Sequence, residues 1–142
     1  GDLTCSGDSI HDNVDKDPLI PLDALRFVSA SYSRGEDPAA PALSPVFADF
    51  TGLPPMIIQV GSTEVLLSDA QRIAQRAEAA GVACRLQVWE NMPHVFQALS
   101  AWLPEAGQAF REIGAFVHPH LSKTDNHRHV RAHASVVMGS SK

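Results

Sequence analysis

The chain has 142 residues, 44% of them hydrophobic and 19% charged, which is the balance of an ordinary globular domain. No apolar run approaches the roughly 20 residues that a membrane helix needs, so no membrane span is expected. Residues 1–117 hold seven Lys/Arg against fifteen Asp/Glu, a balance of −8, while residues 118–142 hold four against one, or +3; the acidic body speaks against nucleic-acid binding.

The opening GDLTCSGDSI has neither a basic n-region nor an apolar h-region, so it does not read as a signal peptide. It begins without Met, as a processed chain or a fragment would. Cys5 and Cys84 are far apart in sequence and read as free thiols, which fits a cytoplasmic setting. Residues 1–20, rich in Asp, Ser and Gly, read as loop. Pro21 opens a helix in which Leu22, Leu25, Val28 and Tyr32 recur at roughly helical spacing. Residues 33–45, with three prolines, form an irregular connection.

Pro54 and Pro55 end that connection, and the apolar run 56–60 predicts a strand covered on both faces. Gly61 breaks the strand. Ser68 is the expected N-cap of the next helix, with Gln71 as its capping-box partner. Ala70, Ile73, Ala74, Ala77 and Ala80 form the apolar face of that helix, and Gly81 ends it. Residues 82–89 read as a second strand. Strand, helix, strand over 56–89 predicts a right-handed parallel βαβ unit. A last helix is expected within 104–117, buried through Ala109, Phe110, Ile113, Phe116 and Val117. From Leu121 onward the periodicity stops, and 121–142 is expected to be a disordered tail.

In open parallel α/β sheets, ligands bind outside the carboxyl ends of the strands. That singles out the loop 61–67, which holds Glu64, and the loop 90–95, which holds His94. Adjacent parallel strands would set the two loops side by side. A carboxylate beside an imidazole orients the ring and stabilises its protonated form in a Ser-His-acid triad. Acid before histidine, near the end of the chain, is the order of α/β-hydrolases. Met92, Val95, Phe96, Leu99 and Trp102 either line an acyl pocket or pack the core.

The pieces GLPP (52–55), EVLLSDA (64–70), AAGV (79–82) and MPHVFQ (92–97) together resemble the hormone-sensitive-lipase-like family of α/β-hydrolases, which contains many bacterial esterases. The similarity runs over roughly 1–117 and is strongest over 43–99. In that family the acid heads a motif similar to D-P-L-x-D, with the histidine about thirty residues on. The resemblance therefore implies that Glu64 is the triad acid and His94 the base. Asp69 is the rival acid; its other reading is that it complements the helix dipole. Glu64 departs from the commoner Asp.

The family's nucleophile lies in G-x-S-x-G and its oxyanion hole uses an HGG-type loop; neither is present in this sequence. Gly7–His11, GDSIH, has the first Gly and the Ser, but His11 stands where the second Gly belongs. The resemblance thus implies an α/β fold that is the C-terminal portion of an α/β-hydrolase: a parallel βαβ unit plus a C-terminal helix, with an irregular and helical N-terminal segment. Residues 1–120 would be that portion and 121–142 the tail. It implies carboxylic ester hydrolysis of a small-molecule ester by a serine upstream of residue 1, with no metal and no organic cofactor. The competing reading is an inactive remnant or an interaction module that keeps the hydrolase surface. A homo-oligomer is left open. His118, His120, His127, His129 and His133 read as incidental composition, because no Glu or Cys completes a metal site near them.

Overall fold

The structure is a computed structural model that describes the backbone of residues 1–136 and side chains as far as Leu121. Its centre is a pair of parallel strands, β1 (Met56–Gly61) and β2 (Cys84–Trp89), joined by helix α3 (Leu67–Ala79). The pairing is level, from Met56 opposite Cys84 to Gly61 opposite Trp89. The N-terminal stretch, read as loop, holds one short turn of helix, α1 (Ser9–Asp12), and is followed by α2 (Leu22–Ser33). Short 3₁₀ turns at Pro45–Phe47 and Phe96–Leu99 and a last helix, α4 (Pro104–Val136), complete it.

Helices cover both faces of β1. On one, Met56 and Ile73 pack against buried Phe50, Ala77 and Val82. On the other, Gln59 Nε2 donates to Ala109 O of α4 at 3.0 Å. Phe96, Ala106 and Ala109 form a second core with Trp89, Met92 and Leu103. Yet Met56–Gln59 are only half-buried, because each strand has a single neighbour among the described residues. Gln59 makes the strand less apolar than its neighbours suggest. Its amide also meets Gln87 Oε1 across the pair at 2.9 Å and accepts from Gln97 Nε2 at 3.0 Å, so this half-buried polar side chain has a partner at both its nitrogen and its oxygen.

Four local expectations are corrected. Ser68 is not the N-cap of α3: the cap position is Leu66, without a side-chain bond. A distant residue does that work instead, since the Ser68 N–H is accepted by Ser9 Oγ at 2.9 Å. On α2, Val28 and Tyr32 are exposed while Ser29 and Ser33 are buried. The serine face meets the N-terminal stretch through Ser29 Oγ, which donates to Leu3 O, while Ser33 Oγ is satisfied within the helix by Ser29 O. On α4, Ala109 is buried as expected and Ile113, Phe116 and Val117 are half-buried, but Phe110 is exposed and Ala106 is buried in its place. The helix also continues past 117, through Pro119, to Val136. Beyond Leu121 the expected tail falls on residues whose side chains lie outside the described ones. Among the described residues no helix is long and apolar enough to cross a membrane.

The end of α3 follows its sequence. Gly81 has φ +73°, its N–H bonds Glu78 O at 3.0 Å, and the Val82 N–H bonds Ala77 O at 2.8 Å. This is a Schellman closure with Val82 packed on Ala77. A Cβ at 81 would meet nothing within 4 Å, so the cost of adding one is conformational. Gly81→Ala should therefore destabilise the protein by about 1–2 kcal/mol, read as a lower denaturation midpoint at unchanged m-value. An unchanged midpoint would contradict this account of the helix end.

Candidate active site

Level parallel strands deliver their following loops to the same place. The ladder continues one step beyond β1, with the Ser62 N–H bonded to Trp89 O at 2.8 Å. Two cross-ties follow: the Asn91 N–H reaches Ser62 Oγ at 2.8 Å, and Thr63 Oγ1 donates to Met92 O at 2.8 Å. Gly61 makes this closeness feasible, because a Cβ there would stand 1.8 Å from the Met92 carbonyl oxygen. The glycine that reads in sequence as a strand breaker is the point where the two loops touch.

The loops bring Glu64 and His94 together. His94 Nδ1 lies 2.7 Å from Glu64 Oε2. The other carboxylate oxygen, Oε1, accepts the Gly61 N–H at 2.6 Å. The Glu64 side chain is 6% exposed and that of His94 36% exposed. If the Glu64 carboxylate is ionised it only accepts hydrogen bonds; the proton between the two is then on Nδ1, and Nε2 is the free nitrogen of a ring that solvent can reach. A cleft of about 210 Å³ lies beside the pair, lined by Ile58, Val60 and Ile73 with Glu64, Asp69 and His94.

Val95, next to His94, has φ 51° and ψ 32°. That left-handed conformation is costly for a β-branched residue, on the order of 1–3 kcal/mol, and persists where the surroundings dictate it. The next residue, Phe96, is 1% exposed and 5.4 Å from the Trp89 ring by centroids. Of the five residues weighed as pocket lining or core, Phe96 sits in the core and Val95 stands 55% exposed. Met92 packs on the same core, while Leu99 and Trp102 are exposed.

Asp69 is engaged elsewhere. Its Oδ2 accepts the Asp2 N–H at 2.8 Å, and its buried Oδ1 has no hydrogen-bond partner among the described residues. Burial pushes its carboxyl up. Burial alone would do the same to Asp2, but hydrogen bonds from Ser6, Thr4 and Arg72 outweigh it and hold Asp2 well below the usual carboxylate range. Ser9, in the GDSIH stretch, is buried, and its hydroxyl donates to Val65 O at 2.7 Å. Burial pushes both thiols, Cys5 and Cys84, up, which disfavours the reactive thiolate. Among the described residues no three His, Cys, Asp or Glu side chains are grouped to hold a metal; His127, His129 and His133 lie outside them.

Three residues surround the acid loop; sequence reasoning passed over Asn13 and Asp17 and weighed Ser9 only against the nucleophile motif. Asn13 Nδ2 donates to Ser62 O at 3.0 Å and Glu64 O at 2.9 Å. Asp17 Oδ2 accepts the Val65 N–H at 3.0 Å. Ser9 is the third. Roughly fifty residues separate these partners, and no local spacing signals the pairing.

The family described as alpha/beta hydrolase fold matches residues 2–98. An esterase of Acinetobacter venetianus is 39% identical over 116 residues, which are 81% of this chain and 38% of that protein. An acetyl-hydrolase of Streptomyces hygroscopicus is 40% identical over 116 residues, 82% of this chain and 39% of that one. Among solved structures, the hormone-sensitive-lipase homologue EstE7 from a metagenome library matches with TM-score 0.81 and 44% identity, over 83% of this chain and 41% of EstE7. EstE5 soaked with p-nitrophenyl butyrate matches with TM-score 0.77 and 40% identity, over 81% of this chain and 38% of that one. This chain therefore spans about two-fifths of the length of these relatives.

Two outcomes follow from the packing and charge at the site. Gly61→Ala must push the Met92 carbonyl away and carry His94 with it; we expect a loss of about 1–3 kcal/mol and shifted His94 ring resonances. Retention of the native ring resonances would contradict the close contact. The raised Asp69 carboxyl ionises later in the folded chain than in the unfolded one. Its contribution to stability is therefore full below about pH 4 and falls as pH rises above that. Asp69→Asn keeps an acceptor for the Asp2 N–H without the charge. Its denaturation midpoint should gain on the native one between pH 4 and pH 7, and a difference that does not change with pH would refute the assignment.

Proposed function

The chain belongs to the alpha/beta hydrolase fold family, and from that premise we propose that its whole protein hydrolyses carboxylic esters, with Glu64 and His94 as acid and base of a catalytic triad. The observation that carries this reading is the 2.7 Å contact between His94 Nδ1 and a buried Glu64 carboxylate at the carboxyl ends of two parallel strands. The relatives named esterase and acetyl-hydrolase support the substrate class. A short-chain acyl ester is the natural first substrate to try.

The chemistry follows from the geometry. A serine supplied by the rest of the protein attacks the ester carbonyl, and His94 Nε2 takes its proton as the bond forms. The resulting imidazolium is stabilised by Glu64, which stays ionised. His94 then gives the proton to the departing alkoxide, leaving an acyl-serine and a free alcohol. Water repeats the cycle on the acyl-serine, with His94 again as base, and releases the carboxylic acid. The Gly61 N–H holds one oxygen of Glu64, so the extra methylene of Glu over Asp does not leave the carboxylate loose.

By itself the 142-residue chain is proposed to be inactive. It lacks G-x-S-x-G, and Ser9 spends its hydroxyl on Val65 O and Ser68. The half-buried β1 and the exposed Phe27, Val28 and Tyr32 support the same reading, in which further strands and helices complete the domain.

In the whole protein, Glu64→Gln should lower kcat on a short-chain ester by about 10⁴-fold with the fold intact, while Asp69→Asn stays near native. The isolated chain should show no turnover above buffer. A crippling Asp69→Asn beside a harmless Glu64→Gln would move the acid to Asp69. Turnover by the isolated chain that Ser9→Ala abolishes would defeat the reading of a divided triad.

A further inference from the structure

The loop that carries Glu64 has few backbone bonds of its own. It is held by the segment 9–17, whose side chains take the backbone groups on either side of the acid. Asn13, Asp17 and Ser9 between them satisfy Ser62 O, Glu64 O, Val65 N–H, Val65 O and Ser68 N–H. Asn13 differs from the other two in where it acts. Its single NH₂ bridges the carbonyls of Ser62 and Glu64, the two that flank Thr63. Lys16 Nζ donates to the Asn13 Oδ1 at 3.1 Å, so the amide has its oxygen toward a cation and its nitrogen toward the two carbonyls. Asn13 is buried, and so is the Glu64 it holds.

Fixing two carbonyls fixes the two peptide planes they belong to. Those planes set the direction in which Glu64 leaves the backbone, and they present Thr63 to Met92 O on the histidine loop. We propose that Asn13 is a positioning residue for the Glu64–His94 pair: its bridged carbonyls aim the carboxylate at His94 Nδ1. Asn13 itself touches neither His94 nor a substrate. Its consequence for turnover rests on the ester-hydrolase reading above; its consequence for the hydrogen bond does not.

The test uses the whole protein and two readouts. One is the downfield proton resonance of His94 Nδ1–H, identified by its loss in Glu64→Gln. The other is kcat and KM on a short-chain ester. Asn13→Asp keeps the shape and turns both donors into acceptors facing carbonyls; Asn13→Ala removes the side chain without adding a charge. Ser29→Ala is the control for stability alone, since that buried α2 hydroxyl serves Leu3 O, away from the acid loop. In both Asn13 variants we expect the resonance to be lost and kcat to fall about 10²-fold with KM little changed. Ser29→Ala should keep both despite a lower denaturation midpoint.

If Asn13→Asp does not fold, Asn13→Ala decides. A folded Asn13→Ala that keeps the resonance and native kcat overturns the proposal. So does a loss of both in Ser29→Ala at equal loss of stability, and so does the absence of any such resonance from the native protein. A native protein that has the resonance, loses it in Asn13→Ala, and hydrolyses no ester would leave the positioning role standing and defeat the functional reading instead.

Discussion

Everything at the site depends on two parallel strands ending level. Gly61 lies opposite Trp89, so the loops that follow leave the sheet from the same height. Had the register slipped by one residue, the side chains of one strand would have changed faces and the two loops would no longer match. Gly61 extends that constraint into the loops. Without a Cβ, it lets the Met92 carbonyl press against the end of β1 while its own N–H holds Glu64. A pair of residues thirty apart in sequence is thereby held at hydrogen-bond distance.

A level sheet brings the loops together but does not shape them. Loop backbone that is buried has to find partners for its N–H and C=O groups. Here the partners are side chains of Ser9, Asn13 and Asp17, from a segment with only one turn of helix. Asp17 is itself tied down, since its second oxygen accepts the N–H groups of Leu19 and Ile20 at 2.9 and 3.2 Å. The N-terminal stretch is thus ordered by what it binds. Its Asp, Asn and Ser residues, which in a sequence signal loop, serve as a polar mould for the acid loop.

Much of this was legible in advance because it rests on local rules. The apolar run 56–60, the alanine face of α3, Gly81 and the strand after it each obey a short-range periodicity, and together they state a βαβ unit. Glu64 and His94 could be singled out because loops at strand ends are few and their contents short. Harder to read were features in which one face competes with another. On α2 the exposed apolar residues Val28 and Tyr32 face away from the buried Ser29, whose hydroxyl bonds Leu3 O of the N-terminal stretch. On α4 the small Ala106 and Ala109 fit beside Phe96, where the larger Phe110 does not lie.

By itself, then, the amino-acid order determined the strand–helix–strand unit, the order of the main elements and the two loops that matter, since hydrophobic spacing and turn chemistry act over a few residues. Tertiary structure alone decided which polar groups meet. Ser68 has its N–H met by Ser9 rather than by a local cap, Asp69 takes the Asp2 N–H, and Asn13 bridges Ser62 and Glu64. Each of these bonds joins residues about fifty or more positions apart. A hydrogen bond needs its partners within about 3 Å in the right direction, and no spacing along the chain expresses that condition until the chain has folded.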